Sequence, residues 1–437
     1  MKTKLILLLL FYSNSFIGQD LLSFNACMDL ALENNLALKN AYLSKEIQYN
    51  YYRSSFGKLL PSINGTVENK NSWGREIDPD TNLFVNKKIQ NYSGDVEAEY
   101  NMFSGFSTIN KIKSAKQDVI SSDANIQKIK NEITIDLAQK FITILYLQEI
   151  ILSNEEQIKS SEKQLELAVL KFNSGVIAES EVFKIKSQKA IEELNLLTNK
   201  NHLTDNLISI KQLINISLER IITLLQPDLV LHDKLDLDEN QYFLTRKAVE
   251  IHPSYVMRIS NEQKMKTEVS IAKASLYPSL SLRLMVGSNY IIKDPFVSFE
   301  RQFNTNFSKG LRFNLTIPIF NQFENFSKIK NSKLQYNQSK IETLLEENRL
   351  SKEILKAMTD TKTSFKKNES AAIAFEFSKK SYEADVLKFE LGKININELN
   401  NTKMNFSTSQ AELIQSKYEL LYNNALIRFY LGENFVL

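Results

Sequence analysis

Apolar side chains follow a helical period over two long parts of the chain. In the first part they recur every seven residues, at Leu137, Ile144, Ile151, Ile158, Leu165 and Phe172. This spacing is typical of a coiled-coil stripe on a long helix. Residues 106–226 contain no Pro and one Gly, Gly175, and residues 319–431 contain no Pro and one Gly, Gly392. We therefore predict two long helices in each part, which meet at the single Gly. The first of them is expected to run from about residue 108 to 173.

Four shorter segments alternate between apolar and polar side chains, which is the pattern of a β-strand. They lie near residues 59–73, 89–103, 276–290 and 308–320. Their length of about 10 residues is that of a transmembrane β-strand. A soluble β-sandwich with one wet face would show the same alternation. A membrane location is favoured by the aromatic residues near the strand ends, which are Trp73, Tyr92, Phe103 and Phe320.

The chain contains two copies of one unit. A shift of 217 residues without any gap superimposes identical residues along most of the sequence. The clearest matches place Lys111, Ile112, Lys113 and Lys116 on Lys328, Ile329, Lys330 and Lys333, and Lys171, Phe172 and Gly175 on Lys388, Phe389 and Gly392. We divide the chain into a first repeat at 19–226, a linker at 227–240 and a second repeat at 241–437.

Composition and charge exclude several classes of protein. Only 11 Gly and 7 Pro occur among 437 residues, too few for a compact enzyme rich in tight turns. Residues 1–18 resemble a signal peptide, with Lys2 and Lys4 ahead of a short apolar run. Removing these two lysines lowers the formal charge of +3 to +1, since 3 − 2 = 1, and leaves no basic excess for nucleic-acid binding. No later stretch is long and apolar enough for a transmembrane helix.

No catalytic, cofactor or metal site is evident in the sequence. The three histidines, His202, His232 and His252, are scattered, and no metal-ligand spacing or glycine-rich loop occurs. We therefore expect no enzyme activity.

The number of predicted strands bears on the oligomeric state. Four strands are too few to close a barrel, and lipid does not tolerate unpaired strand edges. The pattern therefore predicts a homo-oligomer in which several copies complete one barrel.

The two copies share several specific motifs, which are Leu-Pro-Ser at 60–62 and Tyr-Pro-Ser at 277–279, the Phe-X-X-Phe corners at 103–106 and 320–323, and the hairpin segments at 171–175 and 388–392; the first copy adds Gly-Arg-Glu-Ile-Asp-Pro-Asp-Thr-Asn at 74–82. With these motifs the duplicated units resemble the TolC family of outer-membrane efflux proteins over essentially the whole mature chain. The last motif is similar to a loop common in Bacteroidota members. The resemblance implies a mainly α fold with membrane β structure. It further implies a homotrimer with a 12-stranded outer-membrane β-barrel continuous with a 12-helix periplasmic α-barrel.

The same resemblance assigns roles to particular residues. The loops at 74–88 and 291–307 would face outward, and the Gly175 and Gly392 hairpins, with Phe172 and Phe389, would form the periplasmic tip that docks an adaptor. Glu398 matches the first acidic ring of the family's closed aperture, whereas Asn401 stands where a second acid is usual. Glu181 occupies the equivalent place in the first hairpin, where a solvated helix face is the preferred interpretation. The polar strand residues expected to line the barrel are Glu68, Asp95, Glu97, Glu99, Arg283 and Arg312.

The function implied is passive conduction through an exit duct in the outer membrane. The partners would be a periplasmic adaptor protein and an inner-membrane transporter, as in tripartite efflux or type I secretion, with outer-membrane lipid around the barrel. The alternative is an exported coiled-coil structural or adhesion protein without a channel. That alternative explains the helices but not the alternating segments that precede them in each copy.

Overall fold

The structure is a computed structural model that describes residues 20–77, 82–86, 88–226, 241–292 and 297–437. The predicted signal peptide at 1–18 and the predicted linker at 227–240 lie outside the described residues. Parts of the two loops predicted to face outward, at 78–81, 87 and 293–296, lie outside them as well.

Among the described residues, the first half of the chain contains four short strands, two long strands and four helices. In chain order these elements are β1 (Asp20–Leu22), α1 (Phe24–Asn34), α2 (Leu36–Gly57), β2 (Ser62–Ser72), β3 (Arg75–Ile77), β4 (Phe84–Asn86), β5 (Ile89–Ser104), α3 (Ser107–Asn173) and α4 (Glu179–Leu213). The strand β6 (Ile222–Leu224) follows α4.

The second half repeats the helices of the first at a constant distance along the chain. Its elements are α5 (Gln241–Ile251), α6 (Pro253–Ala274), β7 (Ser279–Ile292), α7 (Phe299–Thr305), β8 (Ser308–Thr316), α8 (Glu324–Glu390) and α9 (Ile396–Tyr430). Both α3 and α8 have 67 residues, and both α4 and α9 have 35. Every bound of α5, α6, α8 and α9 lies 217 residues after the matching bound of α1, α2, α3 and α4, for example 324 − 107 = 217.

The residues fall into two compact units. Of the described residues, those within Met1–Ala41, Ile126–His252 and Asn348–Leu437 form one unit, and those within Tyr42–Asn125 and Pro253–Glu347 form the other. In the first unit β1 pairs in parallel with β6 beside an apolar core that includes Cys27 and Phe141. Burial raises the pKa of the Cys27 thiol to about 11, which keeps it protonated at neutral pH.

The second unit is built on one antiparallel sheet with the strand order β2-β5-β7-β8. The observed strands begin and end close to the predicted segments, with one larger difference. The segment predicted near 308–320 ends as a strand at Thr316. Pro318 follows two residues later, and a proline cannot donate a backbone hydrogen bond to a sheet. Among the described strands, β2 and β8 are the two edges of this open sheet.

Side chains of α7 and of the residue after it hydrogen-bond to β7 beyond the point where β8 stops pairing with it. β8 pairs with β7 only as far as Gly287. Beyond this point, the buried Gln302 accepts a hydrogen bond from the Ile291 amide at 3.0 Å and donates one to the Ile291 carbonyl at 2.8 Å. Asn306 donates to the Asn289 carbonyl at 2.9 Å. These side chains satisfy backbone groups of β7 that a neighbouring strand would otherwise pair.

Within the part of the chain that the structure describes, no helix is long and apolar enough to cross a membrane.

Candidate functional site

All six polar strand residues predicted to line a barrel lie on one face of the sheet. The register places Glu99, Arg283 and Arg312 in one row across three strands. Glu97 and Asp95 lie in the next two rows of the same face, and Glu68 follows on β2 opposite Ser93. Cross-strand partners share a face because side chains alternate along each strand. The alternation of the sequence therefore produces one continuous polar surface.

The charges on this polar face are partly paired. The Arg283 guanidinium lies 3.0 Å from a Glu97 carboxylate oxygen and 3.7 Å from one of Glu99. Arg312 is the direct cross-strand neighbour of Arg283. The two acids therefore offset the repulsion between the two arginines, which would otherwise destabilise that row.

The opposite face of the sheet is apolar and open. Its rows contain Val67 and Ile63 from β2, Val96 from β5 and Phe313 from β8. The side chain of Val67 is 89% exposed in the single chain, and the other three are also exposed. A large uncovered apolar surface marks a site of contact with a partner or a membrane. The sheet thus separates a charged face from a face suited to lipid.

In the first unit, both helical hairpins turn through the same backbone motif. Gly175 has φ +74° and Gly392 has φ +68°, in the left-handed region that favours glycine. Val176 donates to the Lys171 carbonyl at 2.9 Å, and Lys393 donates to the Lys388 carbonyl at 2.8 Å. These are Schellman motifs, which satisfy the last carbonyls of a helix.

The two phenylalanines of the hairpins occupy different environments. Phe389 is only 3% exposed and packs in a cluster with Val182, Ile396 and Leu399, whereas Phe172 is 39% exposed. The Lys171 ammonium lies 4.6 Å from the centre of the Phe389 ring and donates to the Phe389 carbonyl at 2.6 Å. The structure thus assigns Phe389 to the packing of the hairpins and leaves Phe172 available on the surface.

The residues predicted for an aperture lie near the start of α4 and α9. Glu398 is exposed and accepts a hydrogen bond from the Asn395 side-chain amide at 2.9 Å, while Asn395 caps α9 by accepting from the Asn397 and Glu398 amides. Asn401 is exposed on the same helix, and Glu181 is half-buried in the first turn of α4. Glu398 thus takes part in the helix cap and also presents an acid to solvent.

Sequence reasoning missed a buried charged cluster between the hairpins. The Lys403 ammonium lies 2.7 Å from a Glu192 carboxylate oxygen, and their side chains are only 3% and 6% exposed. Ser161 contacts both groups, and Gln188 donates to Glu192 at 3.1 Å. Burial lowers the pKa of Lys403, while Glu192 opposes that shift. A sequence signal did exist, since Lys403 follows Leu399 by four residues on the buried face of α9.

A tyrosine lies beside this cluster. Tyr382 accepts from the Gln164 side chain at 2.8 Å and forms a hydrogen bond with Ser160 at 3.1 Å. Its ring stacks on Phe406 with centroids 5.2 Å apart. Burial raises the pKa of the Tyr382 hydroxyl, so it remains neutral here. In the described ranges, no group of three His, Cys, Asp or Glu side chains is placed to hold a metal ion.

A sheet with one charged and one apolar face, together with paired long helical hairpins, is the combination that the resemblance to outer-membrane channel proteins leads us to expect. A family model described as outer membrane efflux protein matches residues 27–215 and 248–433. The chain therefore belongs to the outer membrane efflux protein family, and the sequence-based identification with TolC-type proteins is confirmed. The protein is thus located in the outer membrane and belongs to a family of channels, not of enzymes.

Solved structures of such channels share the fold. CusC, described in terms of transmembrane channel formation, superimposes with a TM-score of 0.83 at 13% identity, covering 97% of this chain and 96% of its own. The outer membrane channel CmeC of Campylobacter jejuni gives a TM-score of 0.82 at 17% identity, with 94% and 85% covered. The outer membrane protein VceC of Vibrio cholerae gives 0.81 at 13% identity, with 94% and 97% covered. No curated protein sequence matches the chain significantly.

Proposed function

We propose that the protein is the exit duct of a tripartite efflux or type I secretion system. In this function it conducts substrates passively from an inner-membrane transporter and a periplasmic adaptor to the exterior. The observation that supports the proposal best is the open sheet with two unpaired edges and two opposite faces. Three copies would supply 3 × 4 = 12 strands, with the polar face toward a lumen and the apolar face toward lipid.

The division into two repeats is part of this proposal. Residues 19–226 and 241–437 would each supply two of the four strands and one helical hairpin, joined by the linker at 227–240. The equal lengths of the matched helices support it. The four helices α3, α4, α8 and α9 would line a periplasmic tunnel.

The hairpin ends are proposed as the site where the adaptor docks. Leu170, Val176 and Leu391 are exposed apolar residues beside the Gly175 and Gly392 turns. Together with Phe172 they give each tip an apolar surface that a partner can bury. Docking there would separate the hairpins and open the tunnel.

Glu398 is proposed as the acidic ring of the periplasmic aperture. Three symmetry-related carboxylates near one axis would repel one another and attract cations. Asn401, one turn further along α9, would lie in the same constriction as a neutral group. Glu181, half-buried at the start of α4, is proposed to stay on a solvated helix face.

The outer-membrane duct is tested by fractionation and electrophoresis. We expect the protein in the outer-membrane fraction and a trimer band that disappears after heating. A soluble periplasmic product would contradict the duct and favour the structural coiled-coil alternative. Measured in planar bilayers of neutral lipid, the purified trimer should form pores.

The aperture is tested by Glu398→Gln, with Glu181→Gln as the matched control. Glutamine keeps the side-chain oxygen that accepts from Asn395, so the cap of α9 remains while the charge is lost. We expect Glu398→Gln to reduce cation selectivity in planar bilayers and Glu181→Gln to leave it unchanged. Unchanged selectivity and conductance for Glu398→Gln would show that the aperture lies elsewhere.

A further inference from the structure

Four lysines form a repeated basic surface at the start of the two longest helices. They are Lys113 and Lys116 on α3, and Lys330 and Lys333 on α8, here called the lysine collar. All four are exposed, and none has an ion pair with a carboxylate among the described residues. The two pairs are related by the same 217-residue offset, for example 330 − 113 = 217. The surface is therefore present twice in each chain.

The lysine collar lies on the side of the helices that is opposite to the polar face of the sheet. Lys111 lines a cavity of about 570 Å³ with Glu99 and Asn101, which belong to that polar face. Successive residues of an α-helix are rotated by about 100°, so Lys113 and Lys116 point about 200° and about 140° away from Lys111. In α8, Lys328 lines a second cavity with Thr316 of the polar face and has the same relation to its own two collar lysines.

Packing on both sides of α3 supports this orientation. Asp123 pairs with Lys45 of α2 at 2.6 Å, and Ser114 donates to Glu268 of α6 at 2.7 Å. On a helical wheel these two contacts lie on opposite flanks of α3. The lysine collar faces outward between them, beside the exposed side chain of Ile109.

Aromatic corners lie between the collar and the apolar face of the sheet. Phe103 and Phe106 meet edge to face at 5.3 Å, and Phe320 and Phe323 meet in the same way at 5.5 Å. All four rings are exposed. Aromatic girdles of this kind mark the boundary between hydrocarbon and headgroups in outer-membrane proteins. Lys113 follows Phe106 by seven residues, or about 10 Å along the helix.

The direction of the side chains brings the ammonium groups toward this boundary. Side chains of an α-helix tilt toward its N-terminus, which for α3 and α8 is the end next to the sheet. Long lysine side chains can also keep their methylene groups on an apolar surface while the charge reaches polar headgroups. The exposed Ile109 and Phe326, which lie on the collar side, provide such a surface.

We propose that the lysine collar binds the phosphate groups of anionic phospholipids in the periplasmic leaflet of the outer membrane. The inference rests on the proposed function, which places the sheet in the membrane and the helices in the periplasm. Each lysine near an anionic surface contributes roughly fivefold in lipid affinity, so four per chain give a marked preference. The contact fixes the depth of the sheet in the membrane and weakens at high salt.

The experiment compares variants of the full-length trimer in vesicles of phosphatidylcholine and phosphatidylglycerol. Spin-labelled forms of the two lipids report the preference of the protein for either headgroup. The test variant carries Lys113→Gln, Lys116→Gln, Lys330→Gln and Lys333→Gln. The matched control carries Lys111→Gln and Lys328→Gln, on the same helix turns but toward the polar face. A second control replaces the four collar lysines by arginine and keeps their charge.

We expect the wild type, the Lys111/Lys328 control and the arginine variant to prefer phosphatidylglycerol several-fold at low salt. The four-glutamine variant should show a ratio near one. If that variant folds poorly, two smaller variants replace it. One carries Lys113→Gln with Lys116→Gln, and the other carries Lys330→Gln with Lys333→Gln. Each should lose part of the preference for phosphatidylglycerol. An unchanged ratio in the glutamine variants, or an equal loss in the Lys111/Lys328 control, would overturn the proposal.

Two further measurements separate this proposal from other outcomes. If glutamine variants lose sedimentation with purified cell-wall sacculi but keep the lipid preference, the collar binds peptidoglycan and the lipid proposal is wrong. Pore formation in purely neutral bilayers tests the proposed channel independently of the collar. Pores without a phosphatidylglycerol preference would refute the collar alone, whereas absence of pores would refute the channel.

Discussion

The two helical hairpins have the same turn and the same helix lengths, yet a residue that is exposed in one hairpin can be buried at the equivalent position of the other. Lys403 of the second hairpin corresponds to Lys186 of the first, since 403 − 217 = 186. Lys186 is exposed and lies 5.7 Å from the centre of the Phe183 ring, whereas Lys403 is buried against Glu192. The position that corresponds to Glu192 is Ser409, which bonds to Ser378. One hairpin therefore supplies the buried acid and the other supplies the buried base.

This difference shows what the duplication leaves free to change. The Schellman turns and the helix lengths depend on backbone geometry and are the same in both hairpins. The side chains that lie between the two hairpins pack against different partners in each copy, so equivalent positions can carry different residues. A contact that joins Glu192 of one hairpin to Lys403 of the other can form only once in each chain.

The largest effect is expected from the phenylalanines of the turns. Phe389→Ala removes a buried ring and should lower the free energy of unfolding by about 4 kcal/mol. Phe172→Ala, at the equivalent and more exposed position, should lower it by roughly 1 kcal/mol or less. Chemical denaturation of the detergent-solubilised trimer measures both. Equal losses would mean that the two turns pack alike, against the structure.

The buried ion pair gives the next largest difference. Lys403→Met leaves the Glu192 carboxylate buried without its cation and should destabilise the protein by about 3 kcal/mol. Lys186→Met should change stability by less than about 0.5 kcal/mol, because Lys186 is exposed. The double variant Lys403→Met with Glu192→Met should recover most of the loss. A double variant as unstable as Lys403→Met alone would assign the effect to packing instead of charge.

The helix caps provide a smaller contrast. Asn395 caps α9 with its side chain, whereas Ala178 at the start of α4 makes no side-chain cap bond. Asn395→Ala should lower the free energy of unfolding by about 1 kcal/mol, and Ala178→Asn should raise it by up to about 1 kcal/mol. The two changes are measured by the same denaturation experiment. Opposite signs are required for the contrast between the hairpins to hold.

The smallest predicted effect is a dependence of stability on pH that Lys403 confers and Lys186 does not. Burial lowers the pKa of Lys403 in the folded state below its ordinary value. As pH rises through the lowered pKa, the folded state releases a proton that the unfolded state retains, and stability therefore increases. Falling pH reverses this gain. Denaturation between neutral pH and the onset of tyrosine ionisation should show the slope in wild type and in Lys186→Met, and a weaker slope in the Lys403→Met, Glu192→Met double variant.

The sequence predicts the helical part of the fold closely, and it predicts the strands nearly as well. An unbroken heptad stripe that ends at a single Gly predicted a helix from about 108 to 173, and α3 spans Ser107–Asn173. The end of the last strand was predicted too late, because alternation continues past the point where Pro318 stops the pairing of β8. The common face of the six charged strand residues follows directly from their alternation.

The sequence does not predict which side chains are buried between the hairpins. Lys-Phe occurs at 171–172 and at 388–389, and nothing in either pair tells which ring is buried. Burial of Phe389 depends on Lys171 and Val182, which are contributed by other helices. The acid that pairs with Lys403 lies 211 residues away on α4, since 403 − 192 = 211, so no local pattern in the sequence links the two residues.

The identical lengths of α3 and α8 also restrict how this protein can change. One residue inserted into either helix would rotate every later side chain by about 100° and move its hairpin along the axis by about 1.5 Å. The inserted helix would then present the wrong residues to its neighbours, and its turn would no longer be level with the other. Tags, epitopes or fused domains therefore belong in the connections between strands. Within the helices, the number of residues is itself a structural requirement, and engineering there is confined to substitution.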